Sequence, residues 1–305
     1  MKSRKKKQPL VSVIMPVYNA GRFLVPAIES ILKQTYQHFE LVIIDDASTD
    51  TSWEIIQKYA RRYRKRIKAV RMIRNLNRGG DVCANQALEY ARGKYIARMD
   101  SDDISHPLRL EKQVEFLEAH PQYFLVGSSA YVIDAKKKII GEKLEPTSSD
   151  EIYRSYFTSH PIIHPSCMYR RILKKKKFSY EIKYSANNDY LTFFKFICKN
   201  QKFANLEEKL LYYRIHGKND TFINVREKFL NTLRIRLEMF LKFGYEPSLQ
   251  QVCMTVLQTA LVLFLPNRVS MRLYMIYKGI IKLENPLDSL AFVLKPGFSL
   301  RAGLR

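Results

Sequence analysis

Two groups of aspartates carry the first chemical signal in this sequence. Asp45, Asp46 and Asp50 fall in IDDASTD, and Asp100, Asp102 and Asp103 fall in MDSDD. Crowded carboxylates repel one another unless a cation or hydrogen-bond donors compensate. Mg2+ takes one or two protein carboxylates and fills its other positions with substrate phosphate oxygens and water. A divalent cation carrying a diphosphate is therefore the expected compensator at Asp100 and Asp102, with Asp46 as a further ligand-binding acid. Asp50 is expected to cap the next helix, and Asp103 to serve a turn.

Two other segments carry residues suited to the same ligand. Pro16-Val17-Tyr18-Asn19 could present backbone and a ring to a base. Asn77-Arg78-Gly79-Gly80 opens a helix, where small residues let backbone N–H groups approach an anion. There is no GxGxxG and no Walker-type Gly-Lys-Ser/Thr, so dinucleotide and P-loop readings lose support.

The elements that must hold these residues follow from hydrophobic periodicity. Residues 10–17, 39–44, 68–73 and 94–99 read as strands. Residues 21–34, 51–63 and 82–91 read as helices between them. Such alternation predicts βαβ units and a mostly parallel sheet flanked by helices, with ligands at the carboxyl ends of the strands. Both aspartate clusters fall there. Beyond Asp103, residues 107–119 and 189–199 read as helical, with Pro107 in a first turn. Residues 124–132, 166–169 and 204–213 read as extended. From Arg226 onward the chain reads as all-helical. Phe229, Leu230, Leu233, Leu237, Phe240 and Leu241 form one stripe, and Gly244 is placed to end that helix.

The bulk numbers bound the function. The 305 residues are 46% hydrophobic, enough for a sizeable core. Lys and Arg total 52 against 29 Asp and Glu, a net charge of +23. That excess asks for an anionic partner: nucleic acid, an acidic membrane face or phosphorylated ligands. Cys83, Cys167, Cys198 and Cys253 are dispersed on segments that read as buried, as suits a reducing cytosol. No cleavable secretory signal and no spanning helix are expected. Basic runs lie at residues 61–68 and 170–177. Residues 252–265 form an apolar stretch too short to span, followed by Arg268, Arg272, Lys278 and Lys282 among apolar residues. With the net charge, this predicts an amphipathic tail on an anionic membrane surface, with packing on the body of the protein as the competitor.

Taken in order, VSVIMPVYN, LVIIDDASTD, NRGGDVCANQAL and YIARMDSDD resemble the bacterial family-two glycosyltransferases, inverting enzymes of the GT-A fold. The likeness runs from Leu10 to Ile215. It implies a Rossmann-like α/β catalytic domain over residues 10–220, with a nucleotide-sugar half (10–105) and an acceptor half (106–220). A basic segment (1–9) precedes it, and a C-terminal helical extension (221–305) follows. The likeness also implies roles. Pro16 and Tyr18 line the nucleobase site, Asp46 accepts from a uracil imide, and Asn77 and Gly79 contact the donor. Asp102 lies closest to a Mg2+ or Mn2+ ion, with Asp100 near ribose or metal.

Asp189 matches the family's catalytic base, although Asn188 stands where a second acid is usual. His216 is expected to reach the diphosphate, and His164 to lie near the acceptor. No Gln-x-x-Arg-Trp signature of processive synthases is present, which implies transfer of a single sugar. The implied activity moves a sugar from a nucleoside-diphosphate donor, UDP by family expectation, to a hydroxyl of a glycan or lipid-linked acceptor, as in surface polysaccharide synthesis. Asp189 would take the acceptor's proton as the hydroxyl attacks the face opposite the leaving diphosphate. Two alternatives are a sugar nucleotidyltransferase and a basic nucleic-acid-binding protein. The first needs a Gly-rich basic loop that PVYNAGRF supplies poorly. The second needs aromatics interleaved with the basic runs, which occur only at Tyr59 and Tyr63.

Overall fold

Every residue of β1 (Val11–Val17) is buried, and its side chains alternate between two cores. Val11, Val13, Met15 and Val17 pack with Leu24, Ala27, Ile28 and Ile31 of α1 (Leu24–Leu32). Ile14 faces the other way, toward Cys83, Ala84 and Ala87 of α3 (Asp81–Tyr90). A strand with both faces covered is almost wholly apolar, and here Ser12 is buried with its hydroxyl donating to Glu40 Oε1 (2.6 Å), which is why the period of two is invisible in VSVIMPV. The computed structural model describes residues 8–76, 80–173, 175–216, 219, 224–266, 269, 270, 273 and 276.

β1 lies between β2 (Phe39–Asp45) and β4 (Tyr95–Arg98), parallel to both, and β2 pairs in parallel with β3 (Ile67–Arg71). α2 (Ser52–Arg62) links β2 to β3. The second half of the sheet is mixed. β4 pairs antiparallel with β8 (Met168–Arg170), which pairs antiparallel with β6 (Tyr123–Ile133). β6 runs parallel to the long, bulged β11 (Lys202–Arg214), and β5 (Ile104–Ser105) closes that edge antiparallel to β11. β7 (Ile139–Lys143) adds to β6 as a hairpin. Helix α4 (Arg109–Ala119) packs beside β6, α5 (Ser149–Ser155) beside β11, and α6 (Asn188–Cys198) precedes β11. β9 (Ile172–Leu173) and β10 (Lys176–Lys177) form a separate small hairpin.

α/β architecture with a helical C-terminal part is as the sequence implied. Local expectations shift in places. Pro107 precedes α4 instead of opening it, and residues 164–166 form a 3-10 turn before β8. The helical tail is broken. α7 (Val225–Phe243) ends at Gly244, whose φ of 64° is the left-handed cap expected there, and α8 (Leu249–Phe264) restarts with a Ser248–Gln251 capping box.

The apolar stripe of α7 is not its buried face. Leu230, Leu237, Phe240 and Leu241 are exposed, while Asn231, Ile235, Arg236, Glu238 and Met239 are buried. Polar partners on the body account for this. Asn187 Nδ2 donates to Lys228 O (2.9 Å) and Thr232 Oγ1 (2.8 Å), Asn231 Nδ2 donates to Ser185 Oγ (3.0 Å), and Glu238 pairs with Lys183. α8 carries no charged residue and buries none of its side chains. No helix among the described residues is long and apolar enough to cross a membrane. Cys83 and Cys167 are buried as expected, whereas Cys253 is exposed on α8.

Candidate active site

Because β1, β2 and β4 are parallel, their carboxyl ends meet on one edge. The adjacent acids Asp45 and Asp46 divide there. Asp45 is fully buried and accepts from Ser48 N (3.2 Å) with Arg71 3.3 Å away, so it builds the turn. Asp46 turns to the cleft and accepts from Leu76 N (3.0 Å). Tyr18 is half-exposed at the cleft mouth, and Pro16 lies beneath it. Asp50 accepts from Ser52 N (2.9 Å) at the start of α2 and from Gly21 N (3.0 Å), close to the capping role expected of it. Asn77 and Gly79 lie outside the described residues. Gly80 opens α3 with φ 79°, and a Cβ there would stand 3.2 Å from Arg98 Nη2, so both conformation and space demand glycine.

Three arginines fix the Asp100–Asp103 turn. Arg98 Nε donates to Asp100 Oδ1 (3.0 Å). Arg109, wholly buried, donates from Nη2 to Arg98 O (2.6 Å), tying α4 to the strand end. Arg214 donates from Nε to Asp102 O (2.6 Å) and from its backbone N–H to Asp103 Oδ1 (2.7 Å). Asp103 therefore pins β11 instead of serving a turn alone. Burial pushes the Asp103 carboxyl well up, and Asp102 and Asp100 push it further. Burial also raises Asp100, against the opposing charge of Arg98. Asp102 Oδ2 lies 3.0 Å from His216 Nε2, and His216 stacks on Phe23 at 4.6 Å.

This turn suits a divalent cation. Its carboxylates face the cleft close together, and their mutual repulsion would be relieved by one. Among the described residues no cluster of three His, Cys, Asp or Glu could hold a metal by itself. Two carboxylates that leave positions for diphosphate oxygens match Mg2+ or Mn2+ better than a closed protein site does.

Across the cleft, Asp189 sits in the first turn of α6 between two histidines. His160 Nε2 is 3.0 Å from Asp189 Oδ2, and His164 Nδ1 is 3.5 Å from the same oxygen. His164 Nε2 meets Tyr180 OH at 2.9 Å, and Tyr180 meets Tyr169 OH at 3.2 Å. Burial alone would raise Asp189. The hydrogen bond with His160 and the Tyr190 amide outweigh it and hold the carboxyl well below the usual range. Burial pushes His164 down to about 3, so it stands by Asp189 as a neutral ring.

Asn188 is fully buried and faces away from this chemistry. Its Oδ1 accepts from Lys183 N (3.0 Å) and Tyr184 N (2.9 Å), and its Nδ2 donates to Tyr184 O (3.0 Å). A carboxylate could not make that last bond, which explains an amide at this position.

One cleft of about 1620 Å³ joins the two sides. Pro16, Tyr18, Asp46, Asp100, Asp102, His164, Asp189 and His216 all line it. Asp100 and Asp102 of the strand-end turn and Asp189 of α6 therefore line one common space.

The sequence model of Glycosyl transferase family 2 matches residues 12–176, more than half of the chain. The chain belongs to this family. A glycosyltransferase of Methanocaldococcus jannaschii, itself uncharacterised, is 40% identical over 208 residues, 67% of this chain and 70% of that protein. EpsE of Bacillus subtilis, also named as a glycosyltransferase, is 48% identical over 126 residues, 41% of this chain and 45% of EpsE. TuaG of the same organism, named for teichuronic acid biosynthesis, is 44% identical over 110 residues, 36% of this chain and 42% of TuaG. The chain thus spans under half the length of those two relatives.

S. aureus TarS in complex with UDP-GlcNAc has a similar fold: TM-score 0.60, 20% identity, 93% of this chain and 80% of that one. The mannosyltransferase PcManGT of Pyrobaculum calidifontis, in complex with GDP-Man and Mn2+, gives TM-score 0.58 and 17% identity over 90% and 86%. This family-two chain therefore has the GT-A fold, and membership selects glycosyl transfer over nucleotidyl transfer and nucleic-acid binding.

Sequence reasoning missed several residues of the family-two cleft. His160 carried a signal, because the dipeptide His-Pro occurs at 160–161 and again at 164–165. Arg98, Arg109 and Arg214 carried none. Each acts through a backbone carbonyl or a neighbouring carboxylate, and no spacing rule encodes such contacts.

Proposed function

We propose that this protein is an inverting, metal-dependent glycosyltransferase that moves one sugar from a nucleoside-diphosphate donor, with UDP as the expected nucleotide, to a hydroxyl of a glycan or lipid-linked acceptor. The observation that carries this reading is the placement of Asp102 and Asp189 on facing sides of one cleft. Pro16, Tyr18 and Asp46 would hold the nucleobase, with Asn77 and Gly79 completing the donor contacts. Asp100 and Asp102 would hold a Mg2+ or Mn2+ ion, which when bound would neutralise charge on the leaving diphosphate. His216, hydrogen-bonded to Asp102, stands where it can donate to that diphosphate.

Asp189 would remove the acceptor proton as the hydroxyl attacks the anomeric carbon. Its carboxylate is ionised across the working pH range, with Oδ2 held by His160. One displacement inverts the anomeric carbon and leaves no covalent glycosyl-enzyme. His164 supports Asp189 from the acceptor side.

The exposed apolar side chains of α7 and α8 and the net charge of +23 support a cytoplasmic protein docked on the anionic inner face of the membrane. The run at 61–68 contributes exposed Arg61, Arg62, Arg64, Lys65 and Lys68. Arg170 and Arg171 are instead bound to carbonyls of Tyr123, Leu117 and Gly93. Lys174, Arg268, Arg272, Lys278 and Lys282 lie outside the described residues.

A screen of nucleotide sugars for donor hydrolysis and thermal stabilisation, with and without Mn2+ or Mg2+, tests the assignment. One donor should stabilise the chain only with the metal. Stabilisation by no donor, or metal-independent stabilisation by all, would remove it.

A further inference from the structure

Two buried phenols stand behind Asp189, and neither lines the cleft. Tyr169 is wholly buried and Tyr180 is 3% exposed. Burial pushes both phenols well up, so both keep their protons. Tyr180 OH lies 2.9 Å from His164 Nε2 and 3.2 Å from Tyr169 OH. On its other side, His164 Nδ1 lies 3.5 Å from Asp189 Oδ2. A chain of polar atoms therefore runs from Tyr169 to the carboxylate.

Chemistry fixes its direction. A carboxylate only accepts, so the nitrogen that faces it, His164 Nδ1, must carry the proton. Burial pushes His164 down to about 3, so the ring is neutral and Nε2 is left as an acceptor. Tyr180 O–H then donates to Nε2, and the Tyr180 oxygen accepts from Tyr169 O–H. His160 is set in the same sense by the backbone. Its Nδ1 accepts from Ile162 N (3.3 Å), so Nε2–H donates to Asp189 Oδ2 (3.0 Å). For His164 the phenol of Tyr180 takes the place of that backbone N–H.

Tyr180 is itself held firmly. Asn85 of α3 donates from Nδ2 to Tyr180 O (2.8 Å) and accepts at Oδ1 from Tyr180 N (2.8 Å). The ring packs edge-on against Phe178 at 4.9 Å. Without its hydroxyl, the neutral imidazole of His164 is free to carry its proton on Nε2. Nδ1 would then turn a lone pair on the carboxylate and push it out of line.

We propose that Tyr180 is a positioning residue for the base, its hydroxyl fixing His164 as the Nδ1–H tautomer that faces Asp189. This rests on the reading of Asp189 as the base. Tyr180 touches no substrate and acts only through His164.

Nitrogen-15 NMR on the full chain with labelled histidine tests the tautomer. His164 should show a protonated Nδ1 and an unprotonated Nε2. Tyr180→Phe keeps the ring and should populate the Nε2–H form. A wild-type Nε2–H tautomer, or no change in Tyr180→Phe, overturns the proposal. The wild-type spectrum decides the matter if that variant fails to fold. Steady-state transfer from the nucleotide sugar that stabilises the chain supplies the second readout. Tyr180→Phe should lower kcat about tenfold and leave the donor KM unchanged. In a His164→Asn background it should cost nothing further, and equal losses in both backgrounds overturn the proposal. A merely structural Tyr180 would lower the melting temperature and leave tautomer and kcat alone. Transfer that survives in Asp189→Asn would instead defeat the base reading, with the tautomer of His164 still measured.

Discussion

His160 Nε2 approaches Asp189 Oδ2 at 3.0 Å, and the two residues come from separate segments that meet only in the folded chain. The imidazole holds Oδ2 and so limits how the carboxylate can turn. Asp189→Asn keeps the size but cannot take a proton. Single-turnover transfer should fall roughly 10²–10⁴-fold with donor affinity near wild type, while the melting temperature drops by about a few degrees as the carboxylate's contact with His160 is lost. His160→Phe should fall less, about tenfold to 10²-fold, because the base remains but is misaimed. A normal rate in Asp189→Asn would send the search for the base elsewhere. Glu181 is a poor successor, since it pairs with Lys195 at 2.6 Å and does not line the cleft.

Asp102→Asn should leave the fold intact, because Arg214 binds the backbone carbonyl of residue 102 and not its side chain. Calorimetry should show Mn2+-dependent nucleotide affinity reduced at least about tenfold. Unchanged metal-dependent affinity would take Asp102 out of the site.

Burial lowers His164 to about 3, whereas an unfolded histidine titrates near ~6.5. Below that value the unfolded chain binds a proton that the folded chain refuses. Stability should therefore decline as pH falls from about 6.5 toward 3. His164→Gln abolishes this contribution. Between pH 7 and 5 its melting temperature should drop less than that of the wild type, and parallel declines would show that His164 is not the source.

Asp103 carries the opposite sign. Its folded carboxyl is raised by burial and by Asp102 and Asp100, so its favourable contribution holds below ~3.9 and is lost as pH rises through the folded value. Asp103→Asn keeps an acceptor for Arg214 N–H without the buried charge. At pH 7.5 the variant should melt a few degrees higher, equivalent to about 1 kcal/mol. The gain should shrink toward pH 4. A variant less stable at both values would mean that the charge is compensated in the fold.

Gly80→Ala places a Cβ 3.2 Å from Arg98 Nη2 at φ 79°. It should cost about 1–2 kcal/mol and weaken donor binding by moving Arg98 from Asp100. Gly80→Asn, better suited to a left-handed backbone, should cost less in the melt. Equal melting of glycine and alanine forms would place no strain there.

The donor half of the site was legible because its residues are local. Asp46 follows β2 directly, Asp100 and Asp102 lie within four residues of the end of β4, and parallel strands put those ends together. The acceptor half was legible only at Asp189 and His164. His160 joins them through tertiary packing. Helix α7 shows the limit of periodicity. Its apolar stripe pointed to burial of Leu230, Leu237 and Leu241, but the loop at 183–188 offers polar partners and captured the other face.

That capture links distant parts of the molecule mechanically. The loop bound by α7 through Asn187, Ser185 and Lys183 is the one that starts the helix carrying Asp189. Close-packed interiors transmit displacement with little loss. The hairpin of α7 and α8 is thus built as a lever, with an apolar, exposed outer arm and an inner arm that ends on Asn187, two residues before Asp189.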